Sequence, residues 1–481
     1  MATATSTCPN CGAPIEFALG SSLSKVCDYC RHTIVRSDRG LTGLGKVADL
    51  ALTPALIAVG DEGTLGEQTL RVLGRVQLDH GLGPWDEYFV ALDNGQHFGW
   101  LAYAQGQWFI TSRSEPEPVP DFDELSLESE VRLGGRPFFV AEIKQGHVVS
   151  TEGEFQDVIR AGDARRYVDC WGPSNAFATL DYGQIGGAPV IVYTGWAITE
   201  AALHITALGP RSVQKIKATT LRCPQCGGDI PKLAGERAER VGCPYCGTLS
   251  DVAEQRVISA QELARAAPAL PVGTSGTLNG VSYTCIAYLR RSTTFEAELY
   301  SWEEFLLWSQ PVGFRWLVND PESGWAFVRP VNLADIERRR LPYQLDYDGR
   351  VFRRRNQSDA RVDYVLGEVY WKCSVGETTA VADFADDDHV VSRESGAGEV
   401  HYSLSKPIPW VVVANAFSVS PGVSSDDADS GKKQRGCLFM GIVFIALLGL
   451  FIVMAKACDD GASNDDDNSS SRGTGVFHGG K

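Results

Sequence analysis

Positive charge is in short supply in this sequence. Against 60 Asp and Glu stand only 44 Lys and Arg, a formal net charge of -16, which works against wholesale wrapping of nucleic acid, because phosphate contacts supply most of that affinity. Histidine is sparse as well. The 8 histidines show neither a metal-binding nor a nucleophile-activating spacing, and there is no Gly-x-Ser-x-Gly elbow and no His-Glu-x-x-His helix, so the common hydrolase motifs are absent. A phosphate-binding loop fails by one residue: in Gly40-Leu-Thr-Gly-Leu-Gly45-Lys46-Val47, valine stands where a hydroxyl would hold Mg²⁺. The segment reads as a glycine-rich linker. No cationic, apolar segment with a cleavage site opens the sequence, and the 13 cysteines cluster in Cys-x-x-Cys pairs rather than a secreted framework. A reducing cytosol is the expected setting.

What is present is enough to build cores: 44% hydrophobic and 22% charged residues over 481 positions predict several compact globular units. Cys8-Pro-Asn-Cys11 and Cys27-Asp-Tyr-Cys30 return as Cys223-Pro-Gln-Cys226 and Cys243-Pro-Tyr-Cys246. The segments after these cysteines return too. Val59-Gly60-x-x-Gly63-Thr64-Leu65 matches Val272-Gly273-x-x-Gly276-Thr277-Leu278, Trp85-Asp86-Glu87-Tyr88 matches Trp302-Glu303-Glu304-Phe305, and Trp100, Trp108 and Gly153-Glu154-Phe155 match Trp316, Trp325 and Gly367-Glu368-Val369. The chain is a tandem duplication. Short apolar runs such as Phe138-Phe139-Val140 and Val190-Ile191-Val192-Tyr193 lie between turn signals and predict strands. Ser259 and Glu262, before Leu263 to Ala267 and Pro268, predict a short helix.

Two Cys-x-x-Cys turns some fifteen residues apart bring four thiolates to one point, the arrangement of a tetrahedral Zn²⁺ site. Cys8, Cys11, Cys27 and Cys30 predict one structural Zn²⁺, and Cys223, Cys226, Cys243 and Cys246 a second. Four thiolates leave no position open for water or substrate, so such sites hold a small domain together. Cys170, Cys285 and Cys373 are unpaired and read as buried apolar groups. The recurring acids Glu87 with Glu304, and Glu154 with Glu368, read as structural groups hydrogen-bonded at strand ends, with acid/base chemistry as the alternative. Arginines gather in the second copy, and Arg353, Arg354 and Arg355 mark an interaction surface.

The expected layout is a zinc ribbon over 1–40, a linker over 41–57, a β-rich domain over 58–208, a second ribbon over 219–250, a short helical linker over 251–270 and a second β-rich domain over 271–417. A flexible linker over 418–436 then leads to 437–455, uncharged throughout and about 28 Å long as a helix, which matches a bilayer. An acidic tail over 456–481 ends the chain. Lys432, Lys433 and Arg435 before this segment, and Asp459 to Asp467 after it, predict a single-pass protein of the bacterial cytoplasmic membrane with a cytoplasmic N-terminal body and the short tail outside. The fold class expected is mainly β: a duplicated zinc ribbon plus barrel- or sandwich-like domain, with one C-terminal transmembrane helix.

At the Gly60/Gly63, Trp85-Asp86-Glu87-Tyr88, Trp100-Leu101 and Gly153-Glu154-Phe155 pattern, the sequence resembles the bacterial family catalogued as domain of unknown function 4178, twice over. The resemblance implies a β-rich fold, an envelope-associated setting and no assigned reaction, so no catalytic residue carries over. The function expected is a membrane-anchored cytoplasmic binding or scaffold protein with an unidentified protein partner. The alternatives are an enzyme using the recurring carboxylates, or nucleic-acid binding through the ribbons, which the weakly basic ribbons disfavour.

Overall fold

The computed structural model describes residues 4–17, 21–37, 40–46, 57–80, 84–104, 106–183, 189–206, 220–253, 255–261, 268–295, 297–340, 342–396 and 398–420. Residues 1–420 form one compact unit; the other, 421–481, lies outside the described residues.

The first ribbon holds β1 (Ala4–Thr7), β2 (Pro14–Phe17), β3 (Ser24–Val26), β4 (His32–Ser37) and β5 (Gly40–Lys46). The first repeat continues with β6 (Glu62–Leu65), β7 (Gln68–Asp79), β8 (Pro84–Leu92), β9 (His97–Ala104), β10 (Gln107–Arg113), β11 (Glu130–Leu133), β12 (Arg136–Phe155), β13 (Ala164–Trp171), β14 (Ala176–Gly183), β15 (Ile191–Ile198) and β16 (Leu203–Thr206). The second ribbon has β17 (Thr220–Arg222), β18 (Asp229–Pro231), β19 (Arg240–Gly242), β20 (Thr248–Asp251) and β21 (Val257–Ala260). The second repeat has β22 (Ser275–Leu278), β23 (Val281–Phe295), β24 (Glu298–Ser309), β25 (Gly313–Asp320), β26 (Gly324–Val331), β27 (Glu337–Arg340), β28 (Gln344–Tyr347), β29 (Arg350–Val369), β30 (Thr378–Ala385), β31 (Val390–Gly396), β32 (Glu399–Pro407) and a single α-helix, α1 (Trp410–Phe417).

Antiparallel pairing closes each repeat into a ring. In the first the order is β7-β8-β9-β10-β15-β14-β13-β12 and back to β7. In the second it is β23-β24-β25-β26-β32-β31-β30-β29 and back to β23. Within each ring every one of the eight strands is paired on both sides. One face of the strands turns inward, as contacts between unpaired strands show: Trp85 of β8 lies 5.8 Å from Tyr167 of β13, Phe109 of β10 lies 4.3 Å from Phe177 of β14, and Trp100 of β9 stacks at 6.2 Å on Phe155 of β12. The other face packs beneath covers. Val72, Val90, Leu101 and Ile110 lie under Leu65 of β6 and Leu203 and Ile205 of β16, while Val140, Val168 and Leu180 lie under Phe122 and Val131.

The second repeat changes one cover. Beside β22, where the first repeat has β16, sits α1, whose Val413 and Phe417 are buried against Leu278 and Phe305. The recurring Gly63 and Gly276 both face this cover: a Cβ on Gly63 would collide with the His204 carbonyl of β16, and one on Gly276 with the Ala416 carbonyl of α1.

Several expectations are corrected. The transmembrane helix and the single-pass membrane location are not supported: among the described residues the one α-helix has 8 residues, about 12 Å, and no helix is long and apolar enough to cross a bilayer. The segment 437–455 lies outside the described residues, as do the tail 456–481 and the linker beyond Ser420. Gly40–Lys46, read as linker, is a strand pairing with β4. Ser259, read as a helix cap, sits in β21, and 262–267 lie outside the described residues.

The strands β12 and β29, 20 residues each, carry the ring-to-ribbon joint. Gly153 and Gly367 both adopt φ +82°, and a Cβ there would run into the carbonyl of Leu73 or Ile286 on the paired strand. Gly153→Ala or Gly367→Ala is therefore expected to cost about 1–3 kcal/mol, read as a lower midpoint in thermal unfolding of the full chain; an unchanged midpoint contradicts the assigned close approach.

Candidate metal centres and ring interiors

Each ribbon folds two knuckles toward one another. The turns close through backbone bonds from Gly12 N–H to Cys8 O (2.9 Å), Gly227 N–H to Cys223 O (2.9 Å) and Gly247 N–H to Cys243 O (3.1 Å), with all three glycines at positive φ. The remaining knuckle does the same with Arg31 at φ 59°, a residue for which the left-handed turn costs Cβ crowding. The four sulfurs of each set lie within 4.8 Å of one another. Cys8 to Cys30 is 3.6 Å and Cys11 to Cys27 3.8 Å; Cys223 to Cys246 is 3.6 Å and Cys226 to Cys243 3.8 Å. Bonds of about 2.3 Å from one Zn²⁺ to a tetrahedron of sulfurs put those sulfurs about 3.8 Å apart, so both sets fit a single ion. The same ligand is readied for ionisation in each ribbon. Cys246 is held down to about 6 by the Thr248 hydroxyl, and Cys30 also falls to about 6, where donors Asn10 and His32 outweigh desolvation.

The ribbons are built into the rings. β3 adds to the end of β12, pairing Lys25 with Glu154 and Ser24 with Phe155, and β19 adds to β29 in the same register, pairing Val241 with Glu368 and Arg240 with Val369. The recurring Gly-Glu sits at this joint. Glu368 accepts the backbone N–H groups of Leu233 (2.6 Å) and Ala234 (2.8 Å), and Glu154 accepts the Ser22 hydroxyl at 3.1 Å. Both glutamates are buried, at 1% and 3% exposure, so each carboxylate satisfies donors that would otherwise be stranded.

Inside each ring a second set of polar groups recurs. Trp85 Nε1 donates to Glu87 at 3.3 Å, as Trp302 Nε1 does to Glu304 at 2.7 Å. The Thr179 hydroxyl donates to Asp169 at 2.6 Å, as that of Ser392 does to Asp383 at 2.6 Å. Asp181 and Glu394 occupy a third shared position, and here the cation differs. Arg165 of β13 meets Asp181 at 2.9 Å, whereas Arg291 of β23 reaches across the ring to Glu394 at 3.2 Å while holding Glu304 at 3.3 Å. Asp169, Asp383, Asp181, Glu394, Arg165 and Arg291 are not marked by any sequence motif. The acids and their hydroxyl donors recur at offsets of 213 or 214 residues, a signal hidden among ordinary alternating strand residues.

These carboxylates keep partial contact with water, yet the surrounding protein desolvates them. Desolvation raises Glu87, with Asp181 adding repulsion and Trp85 and Arg165 opposing, and raises Asp169 well above the usual range, reinforced by Glu142. It raises Glu304 and Asp383 likewise, with Arg291 opposing at Glu304 and the Ser392 hydroxyl opposing at Asp383.

The remaining sequence candidates stand apart from both sites. Arg353 and Arg355 are exposed on β29, and Arg354 is half-buried, donating to Gln357 at 2.8 Å and lying 5.3 Å over the Tyr343 ring. A bulge between Arg354 and Asn356 interrupts pairing with β30, so plain alternation does not set the direction of Arg355. Cys170, Cys285 and Cys373 are each fully buried, at 0% exposure.

An acid whose folded pKa is raised contributes stability below its unfolded value, near 4.3 for Glu, and loses it as pH rises through the folded value. Glu87→Gln retains an acceptor for Trp85 and removes that loss. Its melting temperature relative to wild type is expected to improve from about pH 5 to about pH 8; a difference independent of pH contradicts the desolvated carboxylate.

Residues 58–200 and 271–409, together more than half of the chain, match the family described as Domain of unknown function (DUF4178). The ribbons lie outside the matched segments. No curated protein and no solved structure matches the chain. The two closed rings are thus the two copies of one domain, and the chain belongs to the DUF4178 family.

Proposed function

We propose that the protein is a binding or scaffold module in which two structural Zn²⁺ ions fix the ribbons to the rings. One observation carries this reading: each four-cysteine set is closed by thiolates alone and sits on a ribbon strand that extends the long strand of a ring. Such a site orders backbone and offers no coordination position to a substrate. Arg353, Arg354 and Arg355, beside the exposed Tyr343 and Val351, supply a basic, partly aromatic face suited to an acidic segment of a protein partner.

A second reading, an enzyme, is favoured by the interior carboxylates Glu87 and Asp169 of the first ring and Glu304 and Asp383 of the second, which burial raises, as is common for acids that move protons. Their hydrogen-bond partners are the Trp85 and Trp302 indoles, the Thr179 and Ser392 hydroxyls and Arg291, contacts that a structural acid also makes, and the closed four-cysteine sets favour binding as the better account.

The purified full chain is expected to carry about two Zn²⁺ per chain by elemental mass spectrometry, and Cys8→Ser with Cys11→Ser to carry about one. Unchanged metal content in that variant contradicts the first site. Arg353→Glu and Arg355→Glu together are expected to leave zinc content and melting temperature within experimental error of wild type, since exposed charges contribute little to stability, and to reduce the set of proteins cross-linked to the full chain in its own cells. An identical set for both proteins removes this face from the proposal.

A further inference from the structure

We propose that the seam between the two rings is a pH-sensitive latch, closed while His401 carries a proton and loosened when that proton leaves. The seam is where β12 of the first ring meets β32 of the second. Its backbone joint is slight: Glu142 stands opposite Glu399, and Ile143 N–H donates to Gly398 O at 2.8 Å. Beside it Ala141, Phe139 and Trp171 of the first repeat pack with Val331, Val400 and Tyr402 of the second, and Arg393 and Tyr402 hold Glu128, so side-chain charge adjusts, on top of this packing, how firmly the strand-to-strand joint holds. Two carboxylates directly opposite one another repel. Lys144 relieves this from between them, 3.6 Å from each, and His401 stands 3.7 Å from Glu399 on the same strand.

The titratable groups facing this cluster come from several strands, and at its margin His80 acts on Lys144, Glu87 on Asp169, and Glu304 shares Arg291. From β12 come Glu142 and Lys144, from β32 Glu399 and His401, and from β31 Glu394, cross-strand partner of His401. Behind them, Tyr167 and Asp169 of β13 interact with Glu142, and Arg291 of β23 holds Glu394. With His401 protonated, Lys144, Arg291 and His401 face Glu142, Glu394, Glu399 and Asp169. Without its proton, two cations face the same four acids. Two histidines titrate ordinarily between about pH 5 and 8: His80, which desolvation and then Lys144 lower, and His401, half of whose side chain is open to water, at 49%, so the charge that His401 carries is the one that bears on the joint.

Desolvation pulls His401 down, but Glu399, Glu142 and Glu394 push it up further, and the balance is a raised value. A raised histidine contributes its stabilisation fully below the unfolded value, near 6.5, and loses it as pH climbs through the folded value. Glu399 is lowered: desolvation opposes this, and His401 and Lys144 overcome it. Its share is present above the ordinary carboxylate range and lost in acid. The latch is therefore closed from above that range up to the folded value of His401. Glu142 and Asp169 are raised and weaken in the same direction as His401 when pH climbs, so a variant at His401 is needed to separate its share.

The test is hydrogen exchange of the Ile143 amide in the full chain at about pH 6 and about pH 8.5, corrected for intrinsic rate, with the Cys285 amide, bonded to Thr274 within the second ring, as reference. In wild type the Ile143 protection is expected to fall by about tenfold more than the reference; in His401→Gln it is expected to be low at both pH values. Equal pH responses in the two proteins overturn the latch. Should His401→Gln fail to fold, Glu399→Gln serves: the His401 ring resonance, tracked by NMR, is expected to titrate above the ordinary histidine value in wild type and lower in this variant. Titration at or below that value in wild type, or no shift in the variant, also overturns it.

Discussion

The joint between ribbon and ring depends on one antiparallel extension made twice: the end of a long ring strand receives a short strand from a four-cysteine ribbon. Gly153 and Gly367 allow the backbone of this strand to approach its neighbour, and Glu154 and Glu368, next in sequence, turn inward to satisfy the ribbon's donors. A Cβ would collide, and a buried apolar side chain in place of the carboxylate would strand the Leu233 and Ala234 amides at Glu368, or the Ser22 hydroxyl at Glu154, at a cost of about 1–3 kcal/mol each. The four-cysteine sets and the rings are thus joined through a short stretch of backbone. A ribbon held by four thiolates presents its strand in register, and the ring strand offers the edge to which it adds.

Duplication preserved this framework and changed what fills it. Both rings keep a tryptophan-held glutamate and a hydroxyl-held aspartate in the interior, while the counter-cation moves from β13 in the first ring to β23 in the second. The pairing is electrostatic: the acid at Asp181 or Glu394 meets an arginine, and geometry leaves more than one strand able to supply it. The same freedom shows outside, where a strand covers one ring and a helix the other. Between the rings, Arg393 pairs with Glu128 at 3.0 Å and the Tyr402 hydroxyl donates to the same carboxylate, contacts that two identical halves would not each need.

The duplication, the strands and the cysteine sets were legible because they leave periodic marks: fixed offsets, alternating apolar residues and Cys-x-x-Cys spacing. Ring closure was not, since pairing of β7 with β12 or β10 with β15 joins segments far apart in sequence and depends on twist and length rather than on local residues. The interior acids were hidden for a related reason. Asp169 and Asp181 look like solvent-facing positions of alternating strands until the sheet closes and turns that face inward. At Gly40–Lys46 the glycines suggest a linker, but pairing with β4 overrides local propensity. The apolar run 437–455 rests on hydropathy alone, and no helix among the described residues is long and apolar enough to cross a membrane.

Central to the proposed role is that the two four-cysteine sets, close enough to hold an ion each, form closed structural centres. X-ray absorption at the zinc edge of the purified full chain tests this most directly. Four sulfur neighbours at about 2.3 Å with no oxygen or nitrogen in the first shell are predicted. A shell containing a water, a histidine nitrogen or a carboxylate oxygen in place of sulfur would contradict it, because an open or exchangeable position would return the metal to the chemistry that the four-cysteine geometry denies it.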